Sequence, residues 1–203
     1  MSKNSEPTTA QTAGESPFTI VFARHGQAGG PEISEVLGMP LTELGRQQAA
    51  RLAIRLHKER IDQIYTSNLS RAYETAQEVL KYHKNTPCTV MSDLREVTHY
   101  HFCPGLSPKE LMIRKCVREE KKAMRRFVDH IMREHKPGDR ICVVAHGNLI
   151  RALIPMFGSR DPKKCVLMDM SNTAVSILDV WSAGEAILRL ANCTRHLIPR
   201  QVT

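Results

Sequence analysis

Two His-Gly steps follow apolar segments with the composition of buried strands. Arg24-His25-Gly26 follows the segment Phe18 to Ala23, and His146-Gly147 follows the segment Ile141 to Ala145. Another arginine, Arg71, stands near the start of a predicted helix. A neutral imidazole is a competent nucleophile, and a guanidinium group binds two oxygens of an anion at once. If the two histidines and the two arginines converge, they suit chemistry on an anionic group.

The elements that would position these side chains alternate between strands and helices. The predicted strands are Phe18–Ala23, Ile61–Ser67, Cys88–Met91, Ile141–Ala145 and a closing hairpin of Ala174–Val180 and Ala186–Leu190. The predicted helices run from Thr42 to about Lys58, from Ser70 to about Tyr82, from Lys109 to Lys136 and from Asn148 to about Phe157. This alternation predicts an α/β three-layer sandwich, with a mainly parallel central sheet and helices on both faces. Ligands of such sheets bind beyond the carboxyl ends of the strands.

Length and composition set the domain organisation. The chain has 203 residues, 41% of them hydrophobic, which suits one folded domain. Residues 1–17 are polar and predict a disordered tail, so the domain is expected to span residues 18–203. The six cysteines form no C-x-x-C pair, and no apolar run has the length of a membrane span. We therefore expect a cytoplasmic protein, and the net charge of +8 suits an anionic partner.

Four segments in order carry a specific family resemblance. They are Arg24-His25-Gly26, Leu41 to Gly45, Ser67 to Ala76 and Val143 to Gly147. From about Phe18 to its last strands, the chain resembles the phosphoglycerate mutase-like branch of the histidine phosphatase superfamily. The resemblance implies a phosphoglycerate mutase-like fold, and a reaction that transfers a phosphoryl group to a histidine nitrogen and then to water.

The resemblance also implies roles for individual residues. His25 is the predicted nucleophile, and Arg24 and Arg71 form a clamp for the phosphate oxygens. His146, if it is protonated against the same group, adds a further hydrogen-bond donor. Glycines at the two His-Gly steps would let the backbone approach the ligand. The predicted substrate-binding set is Arg24, Gly26, Arg71, His101 and Gly147.

The leaving group needs a proton, and family members supply it from a carboxylic acid on the loop after the third strand. Here that loop contains Asp93-Leu94-Arg95-Glu96. Its Leu-Arg-Glu pattern makes Glu96 the better candidate for acid and base, so the predicted catalytic set is His25, Glu96 and His146. Asp93 is the reserve candidate.

The segment His99 to Cys103 allows a zinc interpretation. Zinc sites need three or four converging ligands, and no complementary Cys or His pair stands at a usual spacing. We therefore expect a substrate loop, in which His101 contacts the leaving group. Neither a metal nor another cofactor is required by the predicted arrangement.

Three questions stay open at the level of sequence. The segment Lys109 to Lys136 holds ten Lys and Arg against five Asp and Glu. This pattern favours a solvated helix face over nucleic-acid or lipid binding, and it also suits a basic rim that steers a phosphoprotein to the site. The substrate is a phosphorylated small molecule or a phosphoprotein. The alternatives to a phosphatase are a phosphoglycerate mutase, for which the substrate insert is too short, and a non-catalytic module that binds a phosphorylated ligand.

Overall fold

A computed structural model describes residues 16–31, 37–97, 110–159, 168–181 and 185–203. Two predictions fall outside these ranges: the disordered tail, apart from residues 16 and 17, and the substrate loop that contains His101. The described part of the chain forms one six-stranded sheet with helices on both faces, as the sequence predicts.

The strands are β1 (Phe18–Arg24), β2 (Gln63–Ser67), β3 (Cys88–Met91), β4 (Arg140–Ala145), β5 (Val175–Val180) and β6 (Ala186–Cys193). The helices are α1 (Glu43–Leu56), α2 (Ser70–Leu80), α3 (Glu110–Glu134) and α4 (Gly147–Ser159). Short 3₁₀ helices occupy Ser92–Leu94, within the predicted loop, and Pro199–Gln201. The predicted elements are confirmed, with ends that differ by one to three residues because periodicity defines helix ends poorly.

The strands follow the order β3-β2-β4-β1-β5-β6 across the sheet. The first four strands in that order are parallel to one another, and β5 and β6 run antiparallel to their neighbours. Strand β1 therefore lies between a parallel and an antiparallel partner. The carboxyl ends of β2, β4 and β1 meet at one edge of the sheet.

Two hydrophobic clusters cover the two faces of the sheet. Along β1, Val21 contributes to the cluster beneath α1 and α2, whereas Phe22 contributes to the cluster beneath α3 and α4. This alternation follows from the two-residue period of a strand. Strands buried on both faces need the continuous apolar runs seen in β1 and β4.

Helix α1 begins against the turn that follows β1. Thr42 caps the helix, because its hydroxyl oxygen accepts a hydrogen bond of 3.0 Å from the Gly45 N–H. The Thr42 N–H in turn donates to the Gln27 carbonyl over 2.9 Å. A Cβ atom on Gly45 would lie 2.0 Å from this same Gln27 oxygen. Residue 45 must therefore be a glycine for α1 to close on the turn.

We expect Gly45→Ala to lower the free energy of unfolding by about 1 to 3 kcal/mol, because the added methyl group forces two backbone segments apart. Urea unfolding followed by circular dichroism measures this change. Gly158→Ala is the matched control, since a Cβ there would meet the Ala186 Cβ at an ordinary 3.6 Å. Equal stability of Gly45→Ala and the wild type would contradict the contact.

Candidate active site

The two predicted histidines meet because β1 and β4 pair in parallel register. Arg24 lies opposite Ala145, so the next residue on each strand is a histidine. The His25 N–H donates to the Ala145 carbonyl over 2.9 Å. The two imidazole rings stand edge to face with their centroids 4.9 Å apart. The sheet edge therefore holds His25 and His146 side by side.

Hydrogen bonds assign the tautomer of His25. Its Nδ1 atom lies 2.7 Å from the Gly26 carbonyl oxygen, which can only accept, so Nδ1 carries the proton. The lone pair is then on Nε2. This atom accepts a hydrogen bond of 3.1 Å from Nε of Arg71. The ring thus presents its unprotonated nitrogen to an arginine.

Burial keeps both imidazoles neutral. The side chain of His25 is 7% exposed and that of His146 is fully buried. Desolvation, followed by the nearby Arg71 and Arg24, lowers the pKa of His25 to about 3. The pKa of His146 is also far below its usual value, first through desolvation and then through repulsion by His25 and the two arginines. A neutral imidazole has one N–H group, so neutral His146 can donate one hydrogen bond. Because burial disfavours the charged form, His146 would become protonated only beside the negative charge of a bound phosphate.

Two guanidinium groups border the histidines. Arg24 ends β1, and its Nη1 donates to the Met170 carbonyl, while its Nε is buried and has no hydrogen-bond partner in the described ranges. Arg71 lies in the first turn of α2, which starts without a side-chain cap. The positive end of that helix and two arginines make the edge electropositive. Such an edge favours a phosphate dianion.

Glu96 reaches the site from the segment after β3. Its Oε1 accepts hydrogen bonds of 3.0 Å from the N–H groups of Val97 and Leu149, the latter in the first turn of α4. Desolvation raises the pKa of Glu96, although these N–H groups and Arg71 act in the opposite direction. The carboxyl group is therefore oriented by backbone and is shifted towards its protonated form.

Asp93, the reserve candidate, is engaged elsewhere. Arg126 donates to both of its carboxylate oxygens, over 2.5 and 3.1 Å. This bidentate ion pair fixes Asp93 to α3. Of the two carboxylates that the sequence offered, the geometry therefore favours Glu96.

The two glycines at the His-Gly steps make room for protein atoms as well as for a turn. A Cβ on Gly26 would lie 2.5 Å from the Gly45 carbonyl oxygen. At Gly147 a Cβ would meet Cβ of Met170 at 3.4 Å and Nε of Arg24 at 3.6 Å. That these glycines admit a ligand stays a prediction. In the structure their small size allows close packing against α1 and Arg24.

The sequence did not predict four polar residues that surround His25 in the structure. The Gly26 N–H donates to Oγ1 of Thr75, and the Gln27 N–H donates to Oε1 of the buried Gln48. Asn172 Nδ2 and the Thr173 N–H both donate to the His25 carbonyl, over 2.9 and 3.3 Å. A threonine or glutamine on the inward face of a helix was the available signal for Thr75 and Gln48.

The described ranges contain neither a cluster of metal ligands nor a helix that could span a membrane. No three His, Cys, Asp or Glu side chains there lie close enough together to hold a metal ion. No helix within those ranges combines the length and the apolar character needed to cross a bilayer.

Comparisons with known proteins place the chain among relatives. A sequence model of the histidine phosphatase superfamily (branch 1) matches residues 20–115 and 107–193. The chain is 30% identical to phosphoglycerate mutase-like protein 4 of Arabidopsis thaliana, across 88% of this chain and 86% of the relative. It is 25% identical to phosphoserine phosphatase 1 of Hydrogenobacter thermophilus, across 88% and 93% of the two chains. The structure of a mycobacterial glucosyl-3-phosphoglycerate phosphatase superposes with a TM-score of 0.66 and 25% identity, covering 87% of this chain and 99% of that one.

The buried neutral histidines predict a loss of stability on mild acidification. The unfolded chain binds protons on these residues near pH 6.5, whereas folded His25 binds one only at about pH 3. Because the unfolded state binds more protons, stability falls as pH is lowered through this window. We expect each buried histidine to contribute a loss of about 1 kcal/mol between roughly pH 7.5 and 5.5.

Urea unfolding across this range measures the loss. Burial lowers the pKa of His196 as well, to about 4, so three histidines contribute to the loss. His146→Asn should therefore remove about a third of it, while His57→Asn, a replacement of an exposed histidine, should leave it unchanged. A pH dependence that is identical in His146→Asn and the wild type would show that His146 is not buried as a neutral base.

Proposed function

Because this chain belongs to the histidine phosphatase superfamily, branch 1, we propose that it hydrolyses a phosphate monoester through a phosphohistidine intermediate on His25. The observation that carries the proposal is the hydrogen bond of 2.7 Å between His25 Nδ1 and the Gly26 carbonyl. This bond leaves the lone pair on Nε2, beside Arg71 and His146. An imidazole fixed in this tautomer is the arrangement that nucleophilic attack needs.

In the first half-reaction, Nε2 of His25 attacks phosphorus. The P–N bond forms, the ester P–O bond breaks, and the leaving oxygen takes the proton of the Glu96 carboxyl group. Charge on the three non-bridging oxygens is balanced by Arg24 and Arg71, whose guanidinium groups do not titrate. His146 adds an N–H donor to the same oxygens, and the bound dianion favours its protonated form.

In the second half-reaction, the Glu96 carboxylate removes a proton from water. The water oxygen attacks phosphorus, the P–N bond breaks, and inorganic phosphate leaves. The raised pKa of Glu96 suits both steps, because the residue must give up a proton and then recover one. The arginines and Glu96 supply the charge stabilisation and proton transfer that a metal ion provides in other phosphatases.

This charge arrangement and the names of the relatives support a substrate class. Two arginines beside two neutral histidines match a phosphate dianion. The relatives named above as phosphatases act, by their names, on phosphoserine and on glucosyl-3-phosphoglycerate. We propose a phosphorylated small molecule or a phosphoprotein residue as substrate, acted on in the cytoplasm.

The nucleophile is tested by phosphate release from p-nitrophenyl phosphate and 3-phosphoglycerate. We expect His25→Ala to lower kcat by about four orders of magnitude or more, and EDTA to leave wild-type kcat unchanged. His57→Ala, at the exposed C-terminal end of α1, is the control. A mutase would interconvert phosphoglycerates with little release of inorganic phosphate, and a binding module would capture the ester without turnover. Either result would contradict the proposal.

The acid is tested by comparing leaving groups in Glu96→Gln. p-Nitrophenolate leaves without a proton, so the variant should form the phosphoenzyme and hydrolyse it about 10² to 10⁴-fold more slowly. Rapid-quench experiments should therefore show a burst of nitrophenol with p-nitrophenyl phosphate. With glycerol 2-phosphate, whose alkoxide needs a proton, the burst should disappear.

Asp93→Asn is the matched carboxylate control for this experiment, because Asp93 is paired with Arg126. It should keep wild-type kcat on both esters. The assignment of the acid to Glu96 would be wrong if Asp93→Asn, rather than Glu96→Gln, lost turnover of the alkyl ester.

A further inference from the structure

A cleft separate from the candidate active site lies between α1 and the segment that follows β6. Its volume is about 550 Å³, within the range of small-molecule sites. The described lining residues are Arg51, Ile54, Arg55, Arg195 and His196. None of these residues belongs to the phosphate clamp or to the proposed acid.

The positive charge in this cleft is not balanced by nearby acids. None of its described lining residues is acidic, and Arg51, Arg55 and Arg195 form no ion pair within the part of the chain that the structure describes. Nη1 of Arg55 donates hydrogen bonds to the Cys193 carbonyl over 2.8 Å and to His196 Nδ1 over 3.1 Å. Three guanidinium groups that line one cleft would all attract an anion bound there.

His196 is a neutral member of this cluster. Its Nδ1 accepts from Arg55, so its proton is on Nε2, which lies 3.2 Å from Oγ1 of Thr173. Desolvation, together with repulsion by Arg55 and Arg51, lowers the pKa of His196 to about 4. Arg55 and Arg51 are therefore close enough to this imidazole to contribute to its lowered pKa.

A short series of hydrogen bonds connects the cleft with the nucleophile. Arg55 donates to His196, His196 donates to Thr173, and the Thr173 N–H donates to the His25 carbonyl. Thr173 is fully buried and has a φ of 56°, in the region that favours glycine. Its conformation is therefore maintained by these contacts, and a change at His196 reaches the backbone of His25.

We propose that the cleft formed by Arg51, Arg55 and Arg195 is a second anion site, which binds a small molecule bearing two or more phosphate groups and alters turnover at His25. Three guanidinium groups match the charge of a diphosphate better than that of a single phosphate. The bound anion draws Arg55 away from His196 and favours protonation of His196. Its hydrogen bonds to Thr173 and Arg55 then change together.

Methylenediphosphonate is the probe, because its P–C–P linkage resists hydrolysis. Calorimetric titration into Arg24→Ala/Arg71→Ala, which lacks the phosphate clamp, isolates the second site. We expect one bound probe per chain, and at least about tenfold weaker binding when Arg51→Ala and Arg195→Ala are added. Arg118→Ala/Arg125→Ala removes the same charge from the exposed side of α3 and should leave the affinity unchanged.

Binding is also measurable in the wild type, should the clamp variant not fold. The backbone amides of Arg195 and His196 should shift in ¹H–¹⁵N spectra as the probe is added. The absence of such shifts, or equal weakening by both double substitutions, would overturn the site, since the second result indicates unspecific charge attraction. These readouts do not need turnover, so they remain informative if the proposed phosphatase activity is wrong.

Coupling to His25 is measured through kcat for p-nitrophenyl phosphate. A probe that competes at the active site raises KM and leaves kcat unchanged, whereas a probe in the cleft should change kcat. This change should be absent from Arg51→Ala/Arg195→Ala, for which kcat without probe serves as the variant's own reference. Unchanged wild-type kcat at a saturating probe concentration would overturn the coupling.

Discussion

The hydrogen bond from His25 Nδ1 to the Gly26 carbonyl is the constraint on which the site depends. It requires the peptide between Gly26 and Gln27 to hold one orientation, and contacts with both α1 and α2 restrain this turn. Gln48 on α1 accepts from the Gln27 N–H of that peptide, Thr75 on α2 accepts from the preceding Gly26 N–H, and the Gly26 Cα faces the Gly45 carbonyl at the start of α1. The sheet, α1 and α2 thus all contribute to one tautomer. A change in any of these contacts would act on the nucleophile without touching substrate.

Burial shifts the pKa values of the histidines and of Glu96 in opposite directions, and both shifts favour the neutral form. It lowers the pKa of His25 and His146 and raises the pKa of Glu96, so each group is shifted towards its neutral form. Arg24 and Arg71 keep their charge at the sheet edge. A phosphate dianion would therefore meet fixed cations, a neutral imidazole and a carboxyl group shifted towards its protonated form. These shifts are in the direction that the proposed first half-reaction uses.

The sequence predicted the sheet because buried strands and helices differ in hydrophobic period, and strand ends placed His25 and His146 at one edge. It also favoured Glu96 over Asp93, yet it could not reveal why. One of the N–H groups that orient Glu96 comes from α4, and the arginine that holds Asp93 in an ion pair comes from α3. Both are contacts between segments distant in sequence. Helix period likewise placed Arg51 and Arg55 on α1 but not beside Arg195, which approaches only after β6 returns along the sheet.

Helix α1 joins the two anion sites mechanically as well as through hydrogen bonds. Its first turn closes on the Gln27 carbonyl through Thr42 and Gly45, and its later turns carry Arg51 and Arg55. A helix of 14 residues moves as a unit, since a bend needs a proline, a bulge or an inserted group. A ligand that pulls on Arg51 and Arg55 therefore pulls on the peptide that faces Gly26. The close contact at Gly45, with no space for a Cβ, makes this connection stiff enough for a small displacement to reach His25.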